Sequence, residues 1–208
     1  MLRRIFPLIA AALLLSACAF GNEYNYTTAQ VSLGGTTDKS VSAAVVDRRP
    51  YVLNGDKDAD FVGLQRGGFG NPFDVTTETK QPLAADLTDV LKRGLEARGI
   101  SAQGLVVPAG TSLSDILTKF RAQGTDRLLL ITMTEWKTDA MMRLTLHWNL
   151  EAAVYDAAGT LLGQNSSAGT GAVGGSGFEG SNSTASSQQV SLKLDQLLND
   201  PAILDALK

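Results

Sequence analysis

The sequence contains few of the residues on which most enzyme sites depend. Its 208 residues include one cysteine, Cys18, and one histidine, His147. A single cysteine excludes an intramolecular disulfide and a zinc site built from several cysteines. No Gly-x-Ser-x-Gly nucleophile elbow and no Gly-Lys-Ser/Thr phosphate loop is present. These absences predict a protein that is not an enzyme, with no catalytic residues, no cofactor and no bound metal.

The charge pattern excludes a further class of partner. The net charge is −3, and no stripe of lysine and arginine is visible along the chain. Nucleic acid binding requires clustered positive charge to neutralise phosphates, so we expect no nucleic acid partner. Hydrophobic residues make up 44% of the chain, which is too many for a disordered protein. The length suits one compact domain preceded by an export signal.

The N-terminus has the layout of a secretory signal. Arg3 and Arg4 precede an apolar run over residues 5–15. This run is shorter than the roughly 20 apolar residues that span a bilayer. It ends in Leu-Ser-Ala-Cys at residues 15–18, which resembles the bacterial lipobox. The pattern predicts a signal peptide over residues 1–17 and a lipidated Cys18.

The lipobox resemblance implies a thioether-linked diacylglycerol on Cys18 and a further acyl chain, such as palmitate, on its new amino group. Two or three acyl chains give lasting membrane attachment. Residue Ala19 follows the cysteine, where an aspartate usually marks inner-membrane retention. The resemblance therefore implies a lipoprotein on the periplasmic face of the outer membrane.

The mature chain divides into a tether over residues 18–38 and a periplasmic domain over residues 39–208. Alternation and helical spacing predict strands at 39–47, 127–136, 141–155 and 160–167, and helices at 82–98, 112–123 and 183–198. The last three strands follow one another without a helix between them, which favours an antiparallel meander. We therefore expect a single α+β domain with a mixed, mostly antiparallel sheet and helices packed mainly on one face.

Three groups of polar residues are candidates for chemistry, and each has a simpler interpretation. His147 lies on the polar face of a predicted strand and is interpreted as an ordinary exposed residue. The Asp47-Arg48-Arg49 sequence could hold a catalytic pair, although surface ion pairing or a turn cap is favoured. The alternating aspartates at 56, 58 and 60 lack the glycine and terminal glutamate of a calcium-binding loop.

The most unusual segment is residues 66–73, and it is our candidate binding loop. Glycines expose backbone donors and acceptors, and aromatic side chains are common anchors at binding sites. A tight strand connection that tucks its phenylalanines inward is the alternative. The glycine-rich residues 169–180 predict a mobile second loop. The candidate residues are Arg66, Gly67, Gly68, Phe69, Asn71, Phe73 and Phe178.

Residues 45–99 resemble the uncharacterised YajG-like lipoproteins of Gram-negative bacteria. The resemblance lies in Val-Asp-x-Arg at 46–49, Gly-x-x-Arg-Gly-Gly at 63–68, Asn71 and the helix that follows Pro82. It implies a location and a fold, but no activity. The order of elements is also similar to that of auxiliary lipoproteins of envelope lipid transport, an analogy at the level of fold.

Two functions remain open from the sequence. The first is a lipid-anchored envelope protein that binds or scaffolds an envelope protein partner. The alternative is a periplasmic hydrolase whose carboxylates the sequence does not reveal. A deep pocket holding two or more carboxylates with shifted pKa values would favour the hydrolase.

Overall fold

The computed structural model describes residues 22–174 and 179–208, with backbone only for residues 179–181. The predicted signal peptide, Cys18 and Phe178 lie outside the described residues. The structure therefore bears on the predicted domain and on most of the predicted tether.

Eight strands form one curled sheet, and five small helices accompany it in the described part of the chain. The strands are β1 (Glu23–Tyr24), β2 (Val41–Asp47), β3 (Phe61–Arg66), β4 (Pro72–Thr77), β5 (Ala102–Gly104), β6 (Arg127–Ala140), β7 (Leu144–Asp156) and β8 (Leu161–Val173). The helices are α1 (Pro50–Leu53), α2 (Leu83–Ala97), α3 (Leu113–Gln123), α4 (Glu179–Leu198) and α5 (Pro201–Ala206).

Strand β6 organises the sheet because it is paired along both edges. On one edge, its first half is parallel to β2 and its last residues are parallel to β3. On the other edge, β7 pairs antiparallel along its whole length, and β8 pairs antiparallel with β7. β5 continues the β2 side, while β4 and β1 continue the β3 side. The sheet thus has two branches on one side of β6 and a long meander on the other.

The prediction of a mostly antiparallel sheet is wrong. The sheet is mostly parallel and curls into a half-barrel, and helices are not the dominant elements. Parallel pairs join β1 to β4, β2 to β5, β2 to β6 and β3 to β6. Helices α2 and α3 lie between strands in the sequence, and such crossovers return the chain in the same direction. The antiparallel meander of β6, β7 and β8 does match the expectation.

Helices lie on both faces of the sheet, with α2, α4 and α5 on one face and α3 on the other. The larger core combines the inner face with apolar residues of α2, α4 and α5. A second core lies on the opposite face, where Ile116 and Phe120 of α3 pack against Leu128 and Leu130. β6 is buried on both faces in this region, which explains its uninterrupted apolar run.

Most of the expected tether packs against the domain. Alternate apolar side chains are buried from Tyr24 onward, and they include Tyr26 and Val31. The Tyr26 hydroxyl hydrogen-bonds to Ser186 at 2.7 Å and accepts from the Trp136 indole at 3.2 Å. Burial raises the pKa of Tyr26 to about 12. Residues 22–38 are therefore packed against the domain and do not form a free tether.

Within residues 22–174 and 179–208, no helix is both long enough and apolar enough to cross a membrane.

Candidate functional site

Two turns meet at one end of the sheet, and we call residues 67–71 and 141–143 the tip. The first turn joins β3 to β4, and the second joins β6 to β7. They are neighbours because Gln65, at the end of β3, pairs with Ala140, at the end of β6. Arg66 also donates two hydrogen bonds to the Asp139 carboxylate, at 2.8 and 2.6 Å. The parallel pairing and the ion pair hold the two turns side by side.

The candidate binding loop is an ordered turn. The Gly67 amide donates to the carbonyl of Asn71 at 2.9 Å, and Gly70 has a φ of 82°, a value that suits glycine. Phe69 is fully exposed at the apex, while Phe73 is half-buried. The alternative in which the phenylalanines turn inward is therefore wrong for Phe69. Phe178, the remaining aromatic candidate, lies outside the described residues.

Arg66 is not available as an isolated positive charge. Its hydrogen bonds to Asp139 hold the pKa of that carboxyl below its ordinary value, so the pair is ionised at neutral pH. An anion cradled by the glycine turn would have to compete with this carboxylate. The geometry gives Arg66 the role of tying the two turns together.

The sequence did not reveal the second half of the tip. A strand was predicted from residue 141, but residues 141–143 form a turn. Met142 is 90% exposed, and Met141 and Arg143 are also exposed. The turn contains neither glycine nor proline, and these residues are the usual turn signals. Because the residues beside this turn follow the alternating pattern of strands, the sequence contained no indication of the turn.

His147 lies on an uncovered part of the sheet that we call the outer face, formed by Thr145, His147, Asn149 and Glu151 of β7 and their cross-strand neighbours. These side chains point away from the larger core. His147 Nδ1 lies 3.0 Å from the hydroxyl of Thr170 on β8, and Lys137 is its partner on β6. No catalytic partner is supplied by these neighbours.

A shallow depression of about 320 Å³ separates the outer face from the tip. It is lined by Asp139, Met141, Met142, Arg143, Thr145 and His147. Asp139 is its one carboxylate, and that carboxylate is paired with Arg66. Across residues 22–174 and 179–208, no group of three or more metal-ligating side chains is present, and the aspartates at 56, 58 and 60 form none.

Asp47 and Arg49 form an ion pair, but surface pairing is the wrong interpretation because both side chains are completely buried. Their closest atoms lie 2.6 Å apart. Arg49 also donates to the carbonyls of Phe61 and Ala59. Since every side of the guanidinium meets protein, the pair joins β2 to the start of β3 and has a structural role.

The second candidate loop begins inside a strand. β8 continues to Val173, so residues 169–173 form strand pairs with β7 and are not a mobile loop. β8 is 13 residues long and lies at the edge of the sheet. In the described residues, no strand pairs with its outer edge.

Comparison with known proteins shows a likeness of fold. No family model matches the sequence, and no curated protein matches it. A crystal structure from Xanthomonas campestris, described with family model DUF330, superposes with a TM-score of 0.56 at 14% identity, covering 88% of this chain and 95% of that one. A PelC dodecamer from Paraburkholderia phytofirmans gives a TM-score of 0.39 at 17% identity, covering 83% and 95%.

A bacterial lipoprotein is also among the structural neighbours. Lipoprotein GNA1162 from Neisseria meningitidis gives a TM-score of 0.29 at 15% identity, covering 64% of this chain and 83% of that one. At these identities a likeness concerns the fold alone and assigns no activity. None of these structures bears the YajG-like name, so that resemblance stays a prediction.

Proposed function

We propose that the protein is a lipid-anchored component of the bacterial envelope that binds a partner protein and catalyses no reaction. The proposal places it on the periplasmic face of the outer membrane through lipid on Cys18. Among the described residues, the outer face and the tip bring together neither paired free carboxylates nor metal ligands. The hydrolase alternative gains no support from them.

The free edge of β8 carries the proposal of partner binding. Typical strands have five or six residues, but β8 has 13. Its sequence, Leu-Leu-Gly-Gln-Asn-Ser-Ser-Ala-Gly-Thr-Gly-Ala-Val, contains no charged residue and no proline. Proteins commonly protect the edge strands of their sheets with charged residues, proline or short length, since the unpaired backbone groups of an edge can pair with other strands. An unprotected edge of this length suits a partner that adds a strand.

The small side chains of β8 favour the same interpretation. Gln164, Ser166, Ala168 and Thr170 are all exposed, and none of them is charged. α5 packs closely on the inner face of β8 at Gly163, where a Cβ atom would lie 2.2 Å from the carbonyl oxygen of Ala202. The strand is thereby supported from one face, while its edge stays open to a partner.

Charges on this edge should prevent partner binding. We expect the double substitution Ser166→Lys and Ala168→Lys to remove most of the crosslinked product formed in cells by a photo-crosslinking amino acid at Gln164. A partner strand that pairs with this edge would have to remove water from the two ammonium groups or move away from them, and either change weakens the pairing. The measurement is the yield of crosslinked species, with their identity given by mass spectrometry.

Asn149→Lys is the matched control, because Asn149 is exposed on the neighbouring strand β7 but does not lie at an edge. It should leave the crosslinks unchanged. If Asn149→Lys removes them and the double lysine variant does not, the partner binds the outer face and not the edge.

Lipidation has a separate test. Cys18→Ser should remove the acyl mass from the mature chain and release the protein from the membrane fraction, because the sulfur is the site of attachment. Intact mass and cell fractionation measure the two effects. A Cys18→Ser variant that is processed as usual and stays in the membrane would disprove the anchor.

A further inference from the structure

The tip presents an exposed apolar surface supported by a rigid frame. Phe69 is completely exposed, Met142 is 90% exposed and Met141 is 51% exposed. These side chains come from both turns of the tip, which the Arg66–Asp139 pair holds together. Large apolar side chains clustered at such a protrusion usually mark a contact with a membrane or a partner.

The chain enters the described fold near this same end. β1 runs parallel to β4, with Glu23 paired to Thr76. β4 begins at the tip with Pro72 and runs away from it, so β1 also runs away from the tip. Asn22, the first described residue, therefore lies on the tip side of β1. Four steps along β4, about 13 Å, separate Thr76 from Pro72.

The distance from the anchor to the fold limits which surface can meet the bilayer. Four residue steps separate Cys18 from Asn22, and an extended chain covers at most about 14 Å over four steps. That reach is enough for Cys18 to lie level with the tip. The far end of the sheet is out of reach, because β6 alone has 14 residues and extends about 45 Å from the tip.

We propose that the tip inserts Phe69, Met141 and Met142 into the headgroup region of the membrane that holds the lipid anchor. The inference rests on the proposed function, because it requires lipid on Cys18. Phenylalanine is among the apolar residues that interfacial segments bury at the boundary of headgroups and acyl chains, and methionine adapts to irregular apolar surroundings. Exposed Arg143 lies in the same turn and can meet lipid phosphates. In this orientation β8 would run away from the bilayer plane, so that much of the length of its free edge lies clear of the membrane.

Spin labels on introduced cysteines test the proposal in the lipidated full chain. Lipidation consumes the one native cysteine, so Phe69→Cys or Met142→Cys creates a single reactive thiol. Leu161→Cys is the matched control, because Leu161 is 44% exposed and lies at the far end of β8. Each labelled protein is placed in phosphatidylethanolamine and phosphatidylglycerol vesicles. Collision with oxygen, which is enriched in lipid, is compared with collision with a water-soluble nickel complex.

The proposal predicts an oxygen-to-nickel ratio several-fold higher at positions 69 and 142 than at position 161. Equal ratios at the three positions, with acyl mass present on Cys18, would overturn the docking and leave the lipid anchor standing. Spin–spin broadening at position 69 without vesicles would show that the tip binds a second copy, which also overturns it. Two labels per chain would show that Cys18 is free, and both the anchor and the inference would fail.

Discussion

Replacing Arg49 with alanine is expected to lower the free energy of unfolding by about 3–5 kcal/mol, the usual cost of leaving one member of a buried ion pair without its partner. Asp47 would keep its carboxylate in a fully buried site. The carbonyls of Phe61 and Ala59 would lose their donor as well. Since small domains are stable by only about 5–15 kcal/mol, this loss is a large fraction of the total.

The measurement is denaturant unfolding followed by circular dichroism, with the midpoint shifting to lower denaturant and the slope unchanged. Arg66→Ala is the matched control, because it breaks an arginine–aspartate pair that is partly exposed to solvent. Surface pairs contribute little, so its midpoint should move much less. Equal shifts for the two variants would contradict the structural role of the buried pair.

The sequence predicted individual elements better than their arrangement. Periodicity located α2, α3 and the β6–β7–β8 meander, because each has one face that packs against a core. The parallel pairing of β2 with β6 was missed, although α2 and α3 lie between these strands in the sequence. Periodicity describes the faces of one element, whereas pairing depends on contacts between residues such as Ala43 and Leu129, which are far apart in the chain.

At the candidate site too, the sequence indicated single segments better than it indicated how the fold brings them together. The glycines around Phe69 marked residues 66–73 as a candidate loop, but they left open whether its phenylalanines face outward or inward. Met142 gave no comparable indication, because methionine is far more often a core residue. Nothing in the sequence distinguished Asp47 and Arg49 from a surface pair. Their burial results from β3 and β6 closing over them, which is a property of the tertiary fold.

Gly63→Ala is expected to destabilise the protein by about 3 kcal/mol, at the upper end of the usual cost of overpacking a core. A Cβ atom at Gly63 would lie 1.9 Å from the Thr138 hydroxyl and 2.5 Å from the Thr138 carbonyl oxygen. Gly63 pairs with Thr138 where β3 begins to follow β6, directly after an irregularity at Phe61. The added methyl would push β3 away from β6 and weaken the frame of the tip.

Thr138→Ala in the same chain separates the two clashes. It removes the hydroxyl but leaves the backbone carbonyl in place, so the double variant should recover only part of the lost stability. Gly68→Ala is the matched control in the neighbouring turn, where a Cβ atom would have no neighbour within 4 Å. Thermal and denaturant unfolding of the three variants gives the comparison. Complete recovery in the double variant would mean that β3 can shift away from the carbonyl, and the strand pairing would then be looser than the structure indicates.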